Sequence, residues 1–272
     1  MSEPDTVIMA QLEVKDCSAE LYLNGVPLIR LGADTLGGEN RAVQQWLTRG
    51  DNTLELLVEP GPTPREARTH TRQLPKKDIR AVARLVKFKE GAEGTAASGT
   101  ILAEASFEWD IKMPDPMTFP FSLQTATALG SSFGPWAWES YPVLTLDEPL
   151  IEEACGVLEE LDTAVKGGHA DRIWQLTELS MRDTIKAYPA LNEVFLRADI
   201  TEMLQVFGAD GDPTSARDKA QHDFRLVGRG KLLELVDKDF RPSFRLKDTK
   251  RDQVVPFPTY LARVGKELRI VR

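Results

Sequence analysis

The stretch of residues 222–272 decides the fold of the C-terminal part of the chain. It contains five short segments with the character of β-strands, HDFRLV, KLLELV, PSFRL, PTYLARV and ELRIVR, separated by turns such as Gly228-Arg229-Gly230. In the last segment Leu268 and Ile270 alternate with Arg269. A period of two places successive side chains on opposite faces of a sheet, so the stretch predicts an antiparallel sheet with one buried face.

Three helices are predicted immediately before these strands. Apolar residues recur every three to four positions after Asp147, and Gly167-Gly168 ends the pattern; the stripe consists of Leu150, Ile151, Ala154, Val157, Leu158, Leu161 and Val165. Similar patterns cover residues 170–186 and 192–207. Such periodicity is typical of helices that bury one face. We therefore expect residues 147–272 to form a domain of helices packed on a curved antiparallel sheet.

Residues 1–115 have the pattern of a separate antiparallel β-sandwich, which makes the whole chain α+β. Asn24-Gly25 lies between two apolar segments and predicts a hairpin, because both central residues of a type I′ turn need positive φ. A long alternation also predicts a strand; its apolar members are Ile101, Ala103, Ala105, Phe107, Trp109 and Ile111. The spacing of Val43, Trp46 and Leu47 predicts one helix over residues 41–47.

Residues 116–146 are rich in proline, glycine and aromatic side chains and are predicted to connect the two domains. Trp136, Trp138 and Tyr141 are expected to pack between the domains. Contact of the two tryptophans with a binding partner is the alternative, because aromatic anchors are enriched in binding surfaces.

Two resemblances to known families support these assignments. The Asn-Gly hairpin of residues 22–28 and the segment VQQWLTRGDNTLEL of residues 43–56 resemble galactose-binding-like jelly-roll domains, in which such segments are structural. The order of helices before strands, ending in residues 260–271, is similar to cystatin-like cones of the SnoaL-like and nuclear-transport-factor-like groups. The second resemblance implies a cone that hosts, in some members, proton-transfer enzymes with a buried Asp assisted by Tyr or His.

Composition limits the class of protein. The chain has 272 residues, 42% of them hydrophobic and 28% charged, which is typical of a soluble globular protein. The acidic start MSEPDT does not have the pattern of a signal peptide, and the two cysteines form no framework, so a cytoplasmic location is expected. The net charge of −8 disfavours a general nucleic-acid binder.

The charge is distributed unevenly. Residues 147–223 contain 17 Asp and Glu against 7 Lys and Arg, whereas residues 224–272 contain 6 acidic against 13 basic residues. One interpretation is that helices and sheet neutralise each other across their contact. The other is that the acidic helices form a surface for a basic partner.

No sequence motif predicts a catalytic residue, a metal ligand or a cofactor site. Residues 130–134 match G-x-S-x-G, but Pro135 follows at once and no helical pattern begins there. Asp210-Gly211-Asp212 is not followed by the glutamate that a calcium loop requires. His222 and Asp223 are the only candidate acid–base pair, and adjacent strand residues point to opposite faces. We therefore expect a protein that is not an enzyme.

The function that these observations favour is binding of another protein. The concrete hypothesis is a bacterial immunity protein that blocks the active site of a secreted antibacterial toxin, for example a nuclease with a basic cleft. The predicted contact residues are Glu152, Glu153, Glu159, Glu160, Asp162, Trp136 and Trp138. The alternatives are an accessory or scaffold protein of a secretion system, a carbohydrate-binding protein and a small-molecule enzyme of the cone fold.

Overall fold

A computed structural model describes residues 6–32, 37–59, 77–89, 98–112, 119–129, 133–207, 219–237, 241–248, 253–257 and 259–272. The chain divides into two compact units, Met1–Pro135 and Trp136–Arg272. Strands dominate the first unit and helices precede strands in the second, and all paired strands of the described residues are antiparallel. The predicted α+β class is confirmed. Among the described residues, no helix combines the length and the apolar character that crossing a bilayer requires.

The described residues of the first unit form eight strands in two sheets. The strands are β1 (Thr6–Lys15), β2 (Ser18–Leu23), β3 (Val26–Leu31), β4 (Gly38–Ala42), β5 (Gly50–Glu59), β6 (Ile79–Lys89), β7 (Thr100–Trp109) and β8 (Phe121–Leu129). One sheet has the order β4-β1-β6-β7 and the other has the order β3-β2-β5-β8. Alternate side chains of β5 and β7 are buried, which is the pattern of sheets packed face to face.

The β2–β3 hairpin is the one that Asn24-Gly25 predicts. Leu23 pairs with Val26, and Asn24 and Gly25 have φ values of 54° and 78°. The Asn24 side chain also donates to the Trp46 carbonyl and to Asn52 Oδ1, both at 2.8 Å. The turn residue therefore supplies positive φ and ties the hairpin to the neighbouring segment.

The predicted helix over residues 41–47 is wrong. Strand β4 continues to Ala42, and only a single 3-10 turn, Gln44–Trp46, follows it. Backbone groups of this segment form hydrogen bonds with distant residues. The Val43 amide donates to the Ile8 carbonyl, and the Trp46 carbonyl accepts from the Asn24 side chain. Long-range hydrogen bonds replace the local ones that a helix would need.

The predicted connector over residues 116–146 also differs from the structure. It contains β8, which pairs with β5 along the whole of its length, from Val58 opposite Phe121 to Gly50 opposite Leu129. Residues from Trp136 onward belong to the second unit. Prolines flank β8, and its half-buried residues alternate with exposed ones without an alternation of apolar and charged side chains. The sequence pattern therefore did not predict this strand.

The second unit begins with three helices, α1 (Glu148–Lys166), α2 (Ala170–Ala187) and α3 (Glu193–Phe207). Among the described residues six strands follow, namely β9 (His222–Val227), β10 (Leu232–Asp237), β11 (Arg245–Asp248), β12 (Gln253–Pro256), β13 (Tyr260–Val264) and β14 (Glu267–Ile270). Asp147 caps α1 by accepting a hydrogen bond from the Leu150 amide at 3.0 Å. The three predicted helices are confirmed.

The sheet of the second unit has the order β14-β13-β10-β9, and β11 and β12 form a separate hairpin. Helices and sheet share one apolar core, whose most buried members include Leu158, Leu161, Ile173, Leu233, Leu235, Leu261 and Ile270. Both α1 and α2 contact β14. This core fixes which side of each helix faces away from the sheet.

Candidate functional site

Glu148 and Glu152 form the most exposed acidic pair on α1. They lie one helical turn apart, and both accept hydrogen bonds from Lys219 Nζ, at 2.5 Å and 2.8 Å. The contact with Lys219 lowers the pKa of Glu152, and the two carboxylates raise the pKa of Lys219. This acid pair therefore holds a lysine ammonium group at the surface.

Glu153 has a different role, although it is adjacent in sequence. Its carboxylate accepts from Arg263 Nη1 at 2.6 Å and from the Leu268 amide at 2.6 Å. Arg263 and Leu268 are opposite residues of the β13–β14 hairpin. Glu153 therefore links α1 to the sheet, and a partner could reach it only in competition with these bonds.

The remaining predicted acidic contacts also lie along α1. Glu160 pairs with Arg172 of α2, and Asp162 accepts from Lys166 at 2.8 Å. Glu159 is half-buried. Of these contacts, only the one between Glu153 and Arg263 joins a helix to the sheet, whereas Glu160–Arg172 and Asp162–Lys166 lie within the acidic segment itself. The five predicted acids share one helix but do not form one unoccupied acidic surface.

The predicted contact residues Trp136 and Trp138 are both buried. Lys186 Nζ lies 4.9 Å and the Arg272 guanidinium 6.0 Å from the ring centre of Trp136. Both tryptophans belong to the second unit, and their burial leaves the two indoles inaccessible to a partner, contrary to the prediction. Their burial agrees with the commoner fate of tryptophan.

A buried ion pair lies close to Trp136. Arg272 Nη2 donates to Asp183 Oδ2 at 3.0 Å. Burial lowers the pKa of Arg272 to about 10, although the charge of Asp183 acts to raise it. Burial also raises the pKa of Asp183. Burial of the phenol, with a further contribution from the Asp183 charge, raises the pKa of Tyr141. Desolvation thus outweighs the ionic attraction for both members of the pair.

His222 and Asp223 do not form an acid–base pair. His222 is buried, and its Nδ1 lies 3.0 Å from the Ser243 hydroxyl, which is buried as well. In the β9–β10 register His222 lies opposite Asp237 whereas Asp223 lies opposite Val236, so the two side chains belong to opposite faces. A substrate would have no access to a histidine and a serine that are both enclosed.

Helix α3 presents a surface that the sequence patterns did not single out. Its inner side is anchored by the buried residues Leu196 and Ile200, yet Phe195 is 57% exposed and Val206 is 43% exposed. The pattern predicted over residues 192–207 did not separate these two exposed apolar residues from the buried ones. Apolar patches rimmed by polar residues occur at binding surfaces, whereas single exposed apolar side chains are common on any protein surface.

Two sequence motifs lie partly or wholly outside the described residues, namely residues 130–132 of the G-x-S-x-G match and Asp210-Gly211-Asp212. Among the residues that the structure does describe, no cluster of three or more His, Cys, Asp or Glu side chains could hold a metal ion. Comparisons with protein-family models, with curated proteins and with solved structures found no match.

Proposed function

We propose that this protein binds a basic protein partner, and most concretely that it is a bacterial immunity protein that neutralises a secreted antibacterial toxin by covering its active site. The observation that carries the proposal is the acid pair Glu148 and Glu152, which already holds the ammonium group of Lys219. A lysine or arginine of a partner can take the same place, because an exposed ion pair of this kind is worth little to the fold.

The charge of the helices supports the same function. Residues 147–223 carry 17 acidic and 7 basic residues, and α1 alone carries Glu148, Glu152, Glu153, Glu159, Glu160 and Asp162. An acidic surface speeds the encounter with a basic partner and disfavours acidic ones. A nuclease toxin has such a basic surface around the cleft that receives nucleic acid.

The test is an affinity pull-down of the tagged full-length protein from its host cells, with mass spectrometry. We expect one stoichiometric basic protein, whose recovery falls in the Glu148→Lys/Glu152→Lys variant. The matched control reverses two exposed acids of the first unit, Asp51→Lys/Glu108→Lys, and should retain the partner. Recovery of the protein alone would overturn the proposal.

A second candidate function, carbohydrate binding, rests on the first unit. Tyr22, Glu55 and Gln124 are opposite one another on β2, β5 and β8 and therefore lie in one row on the same sheet face. Ser122 donates to Glu55 Oε1 at 2.5 Å. An aromatic ring beside carboxylate and amide groups is a suitable sugar platform. A glycan array with the wild type and the Tyr22→Ala variant tests it, since binding to no glycan would exclude this function.

A further inference from the structure

The outer face of α3, which we define as Phe195, Asp199, Glu202 and Val206, combines two apolar ends with an acidic centre. The four residues are spaced by four, three and four positions, so they lie on one side of the helix. All four are exposed. At a rise of about 1.5 Å per residue, the two apolar side chains are about 16 Å apart along the helix axis.

The two acids at the centre have no cation beside them among the described residues, in contrast to those of α1. The one basic residue of α3, Arg197, is engaged on another side of the helix: it donates to Glu193 at 2.7 Å and to Asp171 at 3.3 Å, and its guanidinium lies 4.2 Å from the ring centre of Trp174. Asp199 and Glu202 therefore remain available to a cation from outside the described part of the chain.

This charge pattern discriminates between occupants. A second copy of the chain, packed antiparallel on α3, would place Asp199 against Glu202 of the other copy, and like charges at short distance are unfavourable. An anionic membrane surface is disfavoured for the same reason. A protein segment with cations between two apolar residues would complement both the acidic centre and the two apolar ends of the surface.

We propose that the outer face of α3 docks an amphipathic helix of the protein partner, with apolar side chains on Phe195 and Val206 and Lys or Arg side chains on Asp199 and Glu202. Such a helix, aligned antiparallel, carries two apolar residues eleven positions apart and cations four and seven positions after the first of them. Recognition of a helix by a row of anchors is a common mode of binding. This inference rests on the proposed function and adds a docking surface separate from the acid pair of α1.

The experiment titrates the full-length, ¹⁵N-labelled protein with a synthetic alanine-based helical peptide that has leucines and lysines in this arrangement. We expect amide shifts confined to α3, weaker binding at high salt, and roughly tenfold weaker binding of the peptide with glutamates in place of lysines. The Asp199→Lys/Glu202→Lys variant should reverse this preference and bind the glutamate peptide better. Equal binding of both peptides by both proteins, or shifts away from α3, would overturn the inference.

One further variant tests the apolar contact, and one further measurement separates this inference from the proposed function. Phe195→Ser should weaken peptide binding roughly tenfold, while its thermal unfolding midpoint stays that of the wild type, since Phe195 is exposed. Once a basic partner has been recovered, its affinity is measured for the α3 and the α1 reversal variants. Loss in the α1 variant with full affinity in the α3 variant overturns the α3 docking surface and leaves the proposed function standing.

Discussion

Asp183 and Glu152 are both carboxylates that bind a cation of the second unit, but their surroundings are opposite. Asp183 and Arg272 are enclosed, whereas Glu152 and Lys219 lie in solvent. Burial raises the pKa of Asp183, and the lysine lowers the pKa of Glu152. The comparison teaches that burial, not the presence of an ion pair, decides whether a charge maintains the fold or can be exchanged for a partner.

The largest effect is expected from breaking the buried pair. Arg272→Met leaves Asp183 without its cation in a desolvated site, and we expect the free energy of unfolding to fall by about 3 kcal/mol. This value is at the low end of the range usual for removing one partner of a buried ion pair. The reason is that Asp183 keeps a hydrogen bond from the Ala137 backbone. Urea denaturation measures it.

The control for this prediction is the double variant Asp183→Leu/Arg272→Met. It removes both charges, so it should recover most of the lost stability. A single variant within about 0.5 kcal/mol of the wild type would show that the pair is no more important than a surface one.

Substitution of Glu153 should have an effect on stability between those expected at Asp183 and Glu152, because Glu153 joins α1 to the sheet from a half-buried position. Glu153→Gln keeps one acceptor but loses the charge opposite Arg263, and we expect a loss of about 1 kcal/mol. The amide of Leu268 should also exchange its hydrogen faster. The matched control is Glu202→Gln on α3, which removes an exposed charge and should change the free energy of unfolding by less than about 0.5 kcal/mol. Equal effects of the two variants would refute the structural role of Glu153.

The pH dependence should have opposite signs at Asp183 and Glu152. The pKa of Asp183 is raised above 3.8, so the unfolded chain releases this proton first and the contribution of Asp183 to stability declines as the pH rises from about 4 through its folded pKa. The pKa of Glu152 is lowered below 4.5, so its contribution is present above that pH and is lost as the pH falls.

Carboxyl-carbon NMR titration measures both groups directly. We expect the inflection of Asp183 above, and that of Glu152 below, the ordinary value for its residue type. The urea unfolding midpoints of the wild type and of Asp183→Asn provide a second readout. As the pH is lowered towards 4, the wild type should gain stability relative to the variant. An Asp183 inflection below its ordinary value would mean that Arg272 outweighs burial.

Local patterns in the sequence predicted those parts of the fold that are local in the structure. Asn24-Gly25 predicted its hairpin because positive φ is a property of the two residues themselves. The apolar stripe of α1 predicted its buried side, including Leu158 and Leu161. Strand β8 escaped prediction because its identity depends on pairing with β5, which is distant in sequence.

The candidate site was predictable in type but not in detail. The excess of acids on α1 is visible in the sequence, yet the roles of neighbouring residues depend on distant partners. Glu152 meets Lys219 at a separation of 67 residues, and Glu153 meets Arg263 at a separation of 110. The periodicity of apolar residues along the chain does not predict contacts between residues so far apart in sequence. The burial of Trp136 beside Arg272 is equally a product of tertiary packing.

The smallest effect on stability, and the sharpest test of the comparison, is expected from Lys219→Ala. Exposed pairs contribute little to stability, so the unfolding midpoint should not change measurably. Removal of the lysine leaves Glu148 and Glu152 open, and a tetralysine peptide should bind roughly threefold more tightly in an NMR titration at low salt. Lys166→Ala, which opens Asp162 instead, is the control of equal charge. If it strengthens peptide binding as much as Lys219→Ala does, net charge alone attracts cations, and the acid pair of α1 has no special place in the proposed interface.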